Sequence, residues 1–247
     1  MRKLRKRRGN SRYYLLFIVL AFLFLSMIMG FSHLVRHLSM FNIHRIIIVG
    51  NQNLDENFLQ DLAAEFIGEN LYSIPVRNVS NKYEDIVRIA SLRVSRSFPN
   101  RLKIMINERI GYVYIRTIEG SLVPLNIQRI ILDAKGIYPQ EDLPIIHSRL
   151  SVSDLTTGSI LDDDHIEKIL NVHELILKSN IDERSISEYY IQNNNIYLIE
   201  SMTGSKVILG DKDFPQRIQK LEFVMDNIGL NRRSTVDPRF DGQVVIR

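Results

Sequence analysis

Residues 94–104 read VSRSFPNRLKI and contain a turn signal followed by alternating apolar residues. A Pro-Asn pair at 99–100 favours a turn, and Leu102, Ile104 and Ile106 then alternate with other side chains. Alternation with a period of two places these three residues on one face of a β-strand. We therefore predict a β-hairpin whose second strand buries that face.

The hairpin closes a segment that begins with a short apolar strand after Phe41. A helix follows, with an apolar face repeating every three or four residues between a capping Asp55 and Gly68. A second helix is predicted over 80–90, with apolar residues on one side. The predicted order is strand, helix, helix, strand, strand.

This order and its motifs resemble the POTRA domain of the FtsQ/DivIB cell-division proteins. The resemblance rests on an Arg-x-Phe-Pro motif and a following Glu-Arg pair, which are Arg96, Phe98, Pro99, Glu108 and Arg109. The family usually has proline two residues after that last arginine, where this chain has Gly111. Strand-end packing, a hairpin turn and an exposed ion pair remain the structural alternatives for these residues. The resemblance predicts a POTRA-like β-α-α-β-β domain over 41–110.

The remainder, 111–247, is predicted to be a C-terminal, mainly antiparallel β domain with flanking helices. Its predicted parts are hairpins around 119–120 and over 131–138, a helix from Asp163 or Asp164, three strands between 189 and 209, and a helix after Gly210. The run Val-x-Leu-Gly, helix, Val-Asp-x-Arg-Phe resembles the C-terminal signature of the same family. Together with the membrane anchor described next, these elements predict a membrane-anchored α+β fold.

The N-terminal part predicts a membrane anchor. Residues 13–31 carry no charge, and at 1.5 Å per residue a helix of this length covers about 28 Å. The arm 1–12 holds seven Lys and Arg residues, whereas only Arg36 and Arg45 follow closely, so the arm is predicted to be cytoplasmic. Residues 32–40 form a connector. A cleaved signal peptide is the alternative, which the length of the apolar run disfavours.

Charge and cysteine content exclude some function classes. Removing the arm from the 32 Lys and Arg residues leaves 25 against 28 acidic residues, so the positive net charge is local to the arm. A nucleic-acid-binding surface is therefore not predicted. The chain has no cysteine, which excludes disulfides and thiol nucleophiles.

The sequence contains no complete catalytic or metal-binding motif. His33 and His37 stand four residues apart, as metal ligands on a helix can, but no third ligand is near them in the sequence. The acidic run at 162–164 is best explained as the cap of the following helix. No nucleophile elbow, zinc-protease motif, P-loop or dinucleotide fingerprint occurs. No enzymatic activity, catalytic residue, metal, cofactor or small-molecule substrate is predicted.

The segment from Val236 to Ile246 is predicted to bind a partner. Pro238 lacks an N–H group and is tolerated in sheets chiefly on edge strands, and an exposed edge can accept a further strand. In FtsQ-like proteins this strand receives the FtsB/DivIC-type subunit that comes paired with FtsL. The candidate residues are Val236, Asp237, Arg239, Phe240, Val244, Val245 and Ile246. An ordinary last strand of the core is the alternative.

The resemblance implies a non-enzymatic scaffold of the division machinery. It would span the inner membrane once, at the septum, with its C-terminus outside the cytoplasm. Its expected partners are FtsB/DivIC-like and FtsL-like proteins and the lipid bilayer. The alternative is a periplasmic POTRA-type assembly or transport factor that binds client β-strands. Such proteins continue into a barrel or carry repeated POTRA units, and neither is predicted here.

Overall fold

The computed structural model describes residues 11–133 and 141–247. Helix α1, Ser11–His37, contains the predicted anchor. Its stretch Tyr13–His37 reaches a mean hydropathy of 2.6, and none of that stretch is buried inside the protein. The helix is therefore long and apolar enough to cross a membrane. Most of the predicted cytoplasmic arm lies outside the described residues.

The chain folds as two compact units. The first comprises residues up to Gly50, together with Glu56–Tyr83 and Leu92–Ile106. The second comprises Asn51–Asp55, Glu84–Ser91 and Asn107–Arg247. Three short pieces of the 41–110 segment are thus grouped with the second unit, and the domain boundaries drawn from the sequence remain a prediction.

The POTRA-like segment has the predicted order of elements. Its strands and helices are β1 (Arg45–Val49), α2 (Glu56–Ala63), α3 (Val76–Asn81), β2 (Ile89–Ser97) and β3 (Arg101–Glu108). The sheet order is β1-β3-β2, and β1 runs parallel to β3 with Arg45 opposite Arg101. Leu102, Ile104 and Ile106 are buried, so the predicted alternation of β3 is confirmed.

One element of this segment differs from the prediction. The second helix lies at Val76–Asn81 instead of 80–90 and begins directly after Pro75. Residues 82–85 form a turn, and Tyr83 and Ile86 are buried. Tyr83 and Ile86 are three residues apart, which is the spacing of one face of a helix, although neither lies in a helix. Phe98, for which strand-end packing is the structural alternative considered above, is 70% exposed at the hairpin tip.

The second unit contains one mixed sheet of eight described strands. They are β4 (Val113–Arg116), β5 (Leu122–Leu125), β6 (Ile145–His147), β7 (Ile186–Gln192), β8 (Asn195–Glu200), β9 (Lys206–Gly210), β10 (Thr235–Asp237) and β11 (Val245–Ile246). Their order is β11-β10-β9-β8-β7-β6-β4-β5, with antiparallel pairings β4–β5, β7–β8, β8–β9 and β10–β11 and parallel pairings β4–β6, β6–β7 and β9–β10. The predicted antiparallel meander is confirmed for β7 to β9.

Two helices flank this sheet, as predicted. They are α4 (Asp164–Leu177) and α5 (Phe214–Asn227). The Asp163 carboxylate caps α4 by accepting a hydrogen bond of 2.9 Å from the Ile166 amide, so the predicted cap is confirmed. On the face of the sheet opposite the helices, Tyr190 and Tyr197 stack with ring centroids 4.9 Å apart. The α+β class is confirmed. The predicted hairpin at 131–138 lies mostly outside the described residues.

Candidate partner-binding site

The hairpin β10–β11 forms one edge of the eight-stranded sheet. β10 pairs in parallel with β9 on its inner side and antiparallel with β11 on its outer side. The amide of Thr235 donates to the carbonyl of Arg247 at 2.8 Å, and the Arg247 amide returns a bond of 3.0 Å to Thr235. β11 is therefore the edge strand, and Pro238 lies in the turn after β10 instead of in a strand.

The pairing register shows which main-chain groups face outward. Thr235 and Arg247 form a hydrogen-bonded pair, so the next pair, Val236 and Ile246, is not hydrogen-bonded within the hairpin. The N–H and C=O groups of Ile246 accordingly point away from β10, toward the open side of the sheet. These main-chain groups could form hydrogen bonds with another strand.

An ion pair stiffens the start of the turn between β10 and β11. The guanidinium of Arg239 donates to both carboxylate oxygens of Asp237, at 2.8 and 2.7 Å. This bond lowers the pKa of the Asp237 carboxyl below its usual range. Gly210, at a φ of +85°, lies beneath it, and an added Cβ would come within 3.0 Å of the Arg239 side chain. The Leu-Gly and Asp-x-Arg parts of the C-terminal signature therefore meet at one place.

Helix α5 holds the rest of the turn. The ammonium group of Lys220 donates to the Phe240 carbonyl at 2.6 Å and to the Pro238 carbonyl at 3.3 Å. With its backbone fixed in this way, Phe240 keeps a side chain that is 42% exposed. Sequence reasoning missed Lys220, because nothing in the spacing of α5 relates it to a turn 18 to 20 residues away.

Arg96, the arginine of the predicted POTRA motif, has a structural role in the first unit. The guanidinium of Arg96 donates to the carbonyls of Leu71 at 2.7 Å and Ile74 at 2.9 Å. It also lies 6.0 Å from the centre of the Tyr72 ring. Arg96 therefore holds the loop that precedes α3.

The Glu-Arg pair binds main-chain groups of the second unit instead of forming the exposed ion pair considered above. Glu108 accepts hydrogen bonds from three successive amides, those of Gln52, Asn53 and Leu54, with shortest distances of 2.6, 3.1 and 3.1 Å. Arg109 donates to the carbonyls of Val87 and Ile89. A carboxylate that accepts several amide bonds is a strong local anchor.

A buried ion pair explains Gly111. Arg88 and Glu141 have side chains that are 1% and 5% exposed, with a closest distance of 2.7 Å. The Gly111 amide donates to the same carboxylate at 3.2 Å, and an added Cβ would stand 2.7 Å from it. Proline at this position would lose the donor and collide with Glu141, so the chain's departure from the family pattern fits its surroundings.

The comparisons with known proteins agree with the POTRA-like order of strands and helices over 41–110. Residues 41–109 match the family described as "POTRA domain, FtsQ-type". These residues are a POTRA domain of the FtsQ type. A relative named "Cell division protein FtsQ", from Syntrophotalea carbinolica (strain DSM 2380 / NBRC 103641 / GraBd1), is 23% identical over 194 residues. The match covers 76% of this chain and 66% of the relative's length. The resemblance to the FtsQ/DivIB family is confirmed.

The FtsQ-type POTRA domain places its motif residues in two different environments. Arg96, Glu108 and Arg109 are engaged in the main-chain bonds described above, whereas Phe98 and Pro99 lie at the exposed hairpin tip. At the other end of the chain, Val236 is fully buried and Asp237 is 9% exposed. We therefore leave the Val236 side chain out of the proposed contact surface. Arg239 and Phe240 are exposed, and Val244, Val245 and Ile246 are partly exposed.

The histidines do not assemble a metal site in the parts of the chain that the structure describes. The rings of His33 and His37 lie with their centroids 4.5 Å apart and are tilted by 51°, and no group of three or more possible ligands is found among the described residues. His173 is buried instead, with its Nδ1 at 2.8 Å from the Tyr189 hydroxyl. The sequence signal for this burial was the spacing of His173, which places it on the same face of α4 as the predicted apolar residues.

Proposed function

We propose that this chain is a non-enzymatic scaffold of bacterial cell division. Helix α1 anchors it in the inner membrane, and its extracytoplasmic domains recruit FtsB/DivIC-like and FtsL-like proteins at the septum. The observation that carries the proposal is the open edge of β11 in a chain with an FtsQ-type POTRA domain. The name of the S. carbinolica relative supports the assignment to cell division.

Strand addition is the binding mode that this edge favours. The outward N–H and C=O groups of Ile246 offer a main-chain pairing site, and a docked strand would bury the exposed parts of neighbouring side chains. Phe240 supplies an aromatic group of the kind that anchors interfaces, and Lys220 fixes its backbone before binding. Arg239 is held by Asp237 and lies in the turn that leads to the edge strand.

The experiment separates main-chain pairing from side-chain contact. Ile246→Pro removes the outward N–H, while Ile246→Ala trims the side chain and keeps that N–H. If an added strand pairs with β11, the proline variant should lose binding of an FtsB-like partner in a pull-down, and the alanine variant should be only weakened. Phe240→Ala should weaken capture as well, because the exposed ring is lost without disturbing the Lys220 bonds.

Folding must be checked in the same samples. Circular dichroism should show equal folding of all three variants, since β11 lies at the edge and Phe240 is exposed. Full capture by folded Ile246→Pro would contradict the binding edge. Arg239→Glu is a poorer probe, because it would set a second carboxylate against Asp237 and disturb the turn itself.

The alternative, an assembly factor for client β-strands, predicts a different set of partners. A pull-down of the membrane complex from dividing cells should recover division proteins. Recovery of unfolded outer-membrane clients in their place would reject the division scaffold.

A further inference from the structure

The end of α1 is fixed to the rest of the first unit. The Asn70 side-chain amide donates to the carbonyls of Val35 and Leu38, each at 3.2 Å. Carbonyls in the last turn of a helix lack intrahelical partners, so Asn70 acts as a cap for the end of α1. Asn70 is only 9% exposed and its own oxygen accepts from the Tyr72 amide at 3.0 Å. The unit is therefore attached to the helix end by direct bonds.

The tip of the β2–β3 hairpin lies at the same end of this unit. β1 begins at Arg45, shortly after α1, and Arg45 stands opposite Arg101, the first residue of β3. Since β1 and β3 are parallel, the starts of both strands share one end of the sheet. The His44 amide donates to the Asn100 carbonyl at 3.0 Å, which joins the connector after α1 to the tip directly.

Apolar and cationic side chains are exposed together at this end. Phe98 is 70% exposed, Met40 54% and Tyr72 36%. The Phe41 ring lies beneath them, with its centroid 5.2 Å from that of Tyr72 and 6.0 Å from that of Phe98. Exposed arginines at the same end are Arg36, Arg45 and Arg101. Aromatic rings beside cationic side chains at the end of an apolar helix are typical of groups that lie at the headgroup level of a bilayer.

We propose that this end of the POTRA domain, with Phe98 as its apolar anchor, rests on the outer surface of the membrane through which α1 passes. The occupant of the surface is lipid: Phe98 and Met40 enter the boundary between headgroups and acyl chains, and the arginines contact phosphates. We assign lipid as the occupant because this surface is continuous with α1. The Asn70 bonds hold it next to the point where the helix leaves the hydrocarbon. The inference rests on the proposed membrane span of α1.

The chain offers a direct test because it contains no tryptophan. Phe98→Trp introduces one indole at an exposed site and preserves an aromatic anchor. In full-length protein reconstituted in liposomes, its emission should be blue-shifted and quenched most by lipids brominated near the headgroups. Val49→Trp is the matched control, because Val49 is exposed at the opposite end of β1 and should be quenched several-fold less.

A third variant distinguishes this inference from the proposed anchoring. Ala21→Trp, in the middle of α1, should be quenched most by lipids brominated deep in the acyl chains. If Ala21→Trp is quenched and Phe98→Trp resembles Val49→Trp, the membrane-contact surface is wrong while the span stands. If Ala21→Trp is not quenched, the anchoring fails and takes this inference with it. An unquenched Phe98→Trp whose position cross-links to a protein in cells would assign the surface to a protein partner.

Discussion

Single residues decide most of the local geometry in this chain, and only some of them could be predicted. Asp163 was recognisable as a cap because its partner amide is three residues away. Arg88 and Glu141 could not be paired from the sequence, since 53 residues separate them and neither stands in a motif. Phe98 follows Leu92 and Val94 in a pattern of alternating apolar residues. That pattern ends at the turn, where a side chain has no strand beside it to cover it.

The stability of the folded protein should depend on the protonation of His173. Burial lowers its pKa from 6.5 to about 4, so the ring is neutral in the folded protein at pH 7. The unfolded chain binds the proton first as pH falls, so stability is fully present above about pH 6.5 and decreases down to about pH 4. The loss across this window is about 3 kcal/mol at most. Urea unfolding at several pH values should show it.

The matched variants are His173→Gln and His165→Gln. The first keeps a hydrogen-bonding group for Tyr189 and removes the titrating ring, so the pH dependence in this window should flatten. The second changes an exposed histidine on the same helix and should leave the dependence as it is. Equal pH profiles for wild type and His173→Gln would show that another group is responsible.

Strands were predicted better than the short helix. The period of two predicted for β3 matched the structure because one face of this strand lies against the core, and the three predicted strands β7 to β9 are present. α3 was misplaced because six residues are too few for a helical period to be separated from turns. The candidate binding edge was predicted from the assumption that Pro238 lies in an edge strand, which was wrong. Pro238 marks the turn, and the sheet order that makes β11 the edge depends on pairings the sequence does not encode locally.

The two faces of β3 should tolerate substitution differently. Ile104 is fully buried, so Ile104→Asp places an unpaired carboxylate in the core at a cost of several kcal/mol, against a typical total stability of about 5–15 kcal/mol. This variant should unfold the POTRA domain in a thermal melt. Lys103→Asp, one residue away on the other face, should be mild. Similar melting for both would show that the two faces are not distinguished.

Membrane topology is the property of the whole molecule that matters most for the proposed function. Seven basic residues precede the apolar run, and two follow it closely. This asymmetry favours a cytoplasmic N-terminus. We expect a reporter that works only outside the cytoplasm to be active when fused after Arg247, and N-terminal sequencing to find the span retained. Activity only of a cytoplasmic reporter would reverse the orientation and contradict the scaffold.

The shortness of β11 has a kinetic consequence. A strand of two residues can form only a few main-chain hydrogen bonds with an added strand, and each contributes about 0.5–1.5 kcal/mol net. Micromolar affinity requires about 8 kcal/mol, so most of the binding energy must come from side chains such as Phe240. Differences between variants should then appear mainly in the dissociation rate. A complex held in this way exchanges its partner readily unless a second contact, for example between membrane-spanning helices, prolongs its residence time.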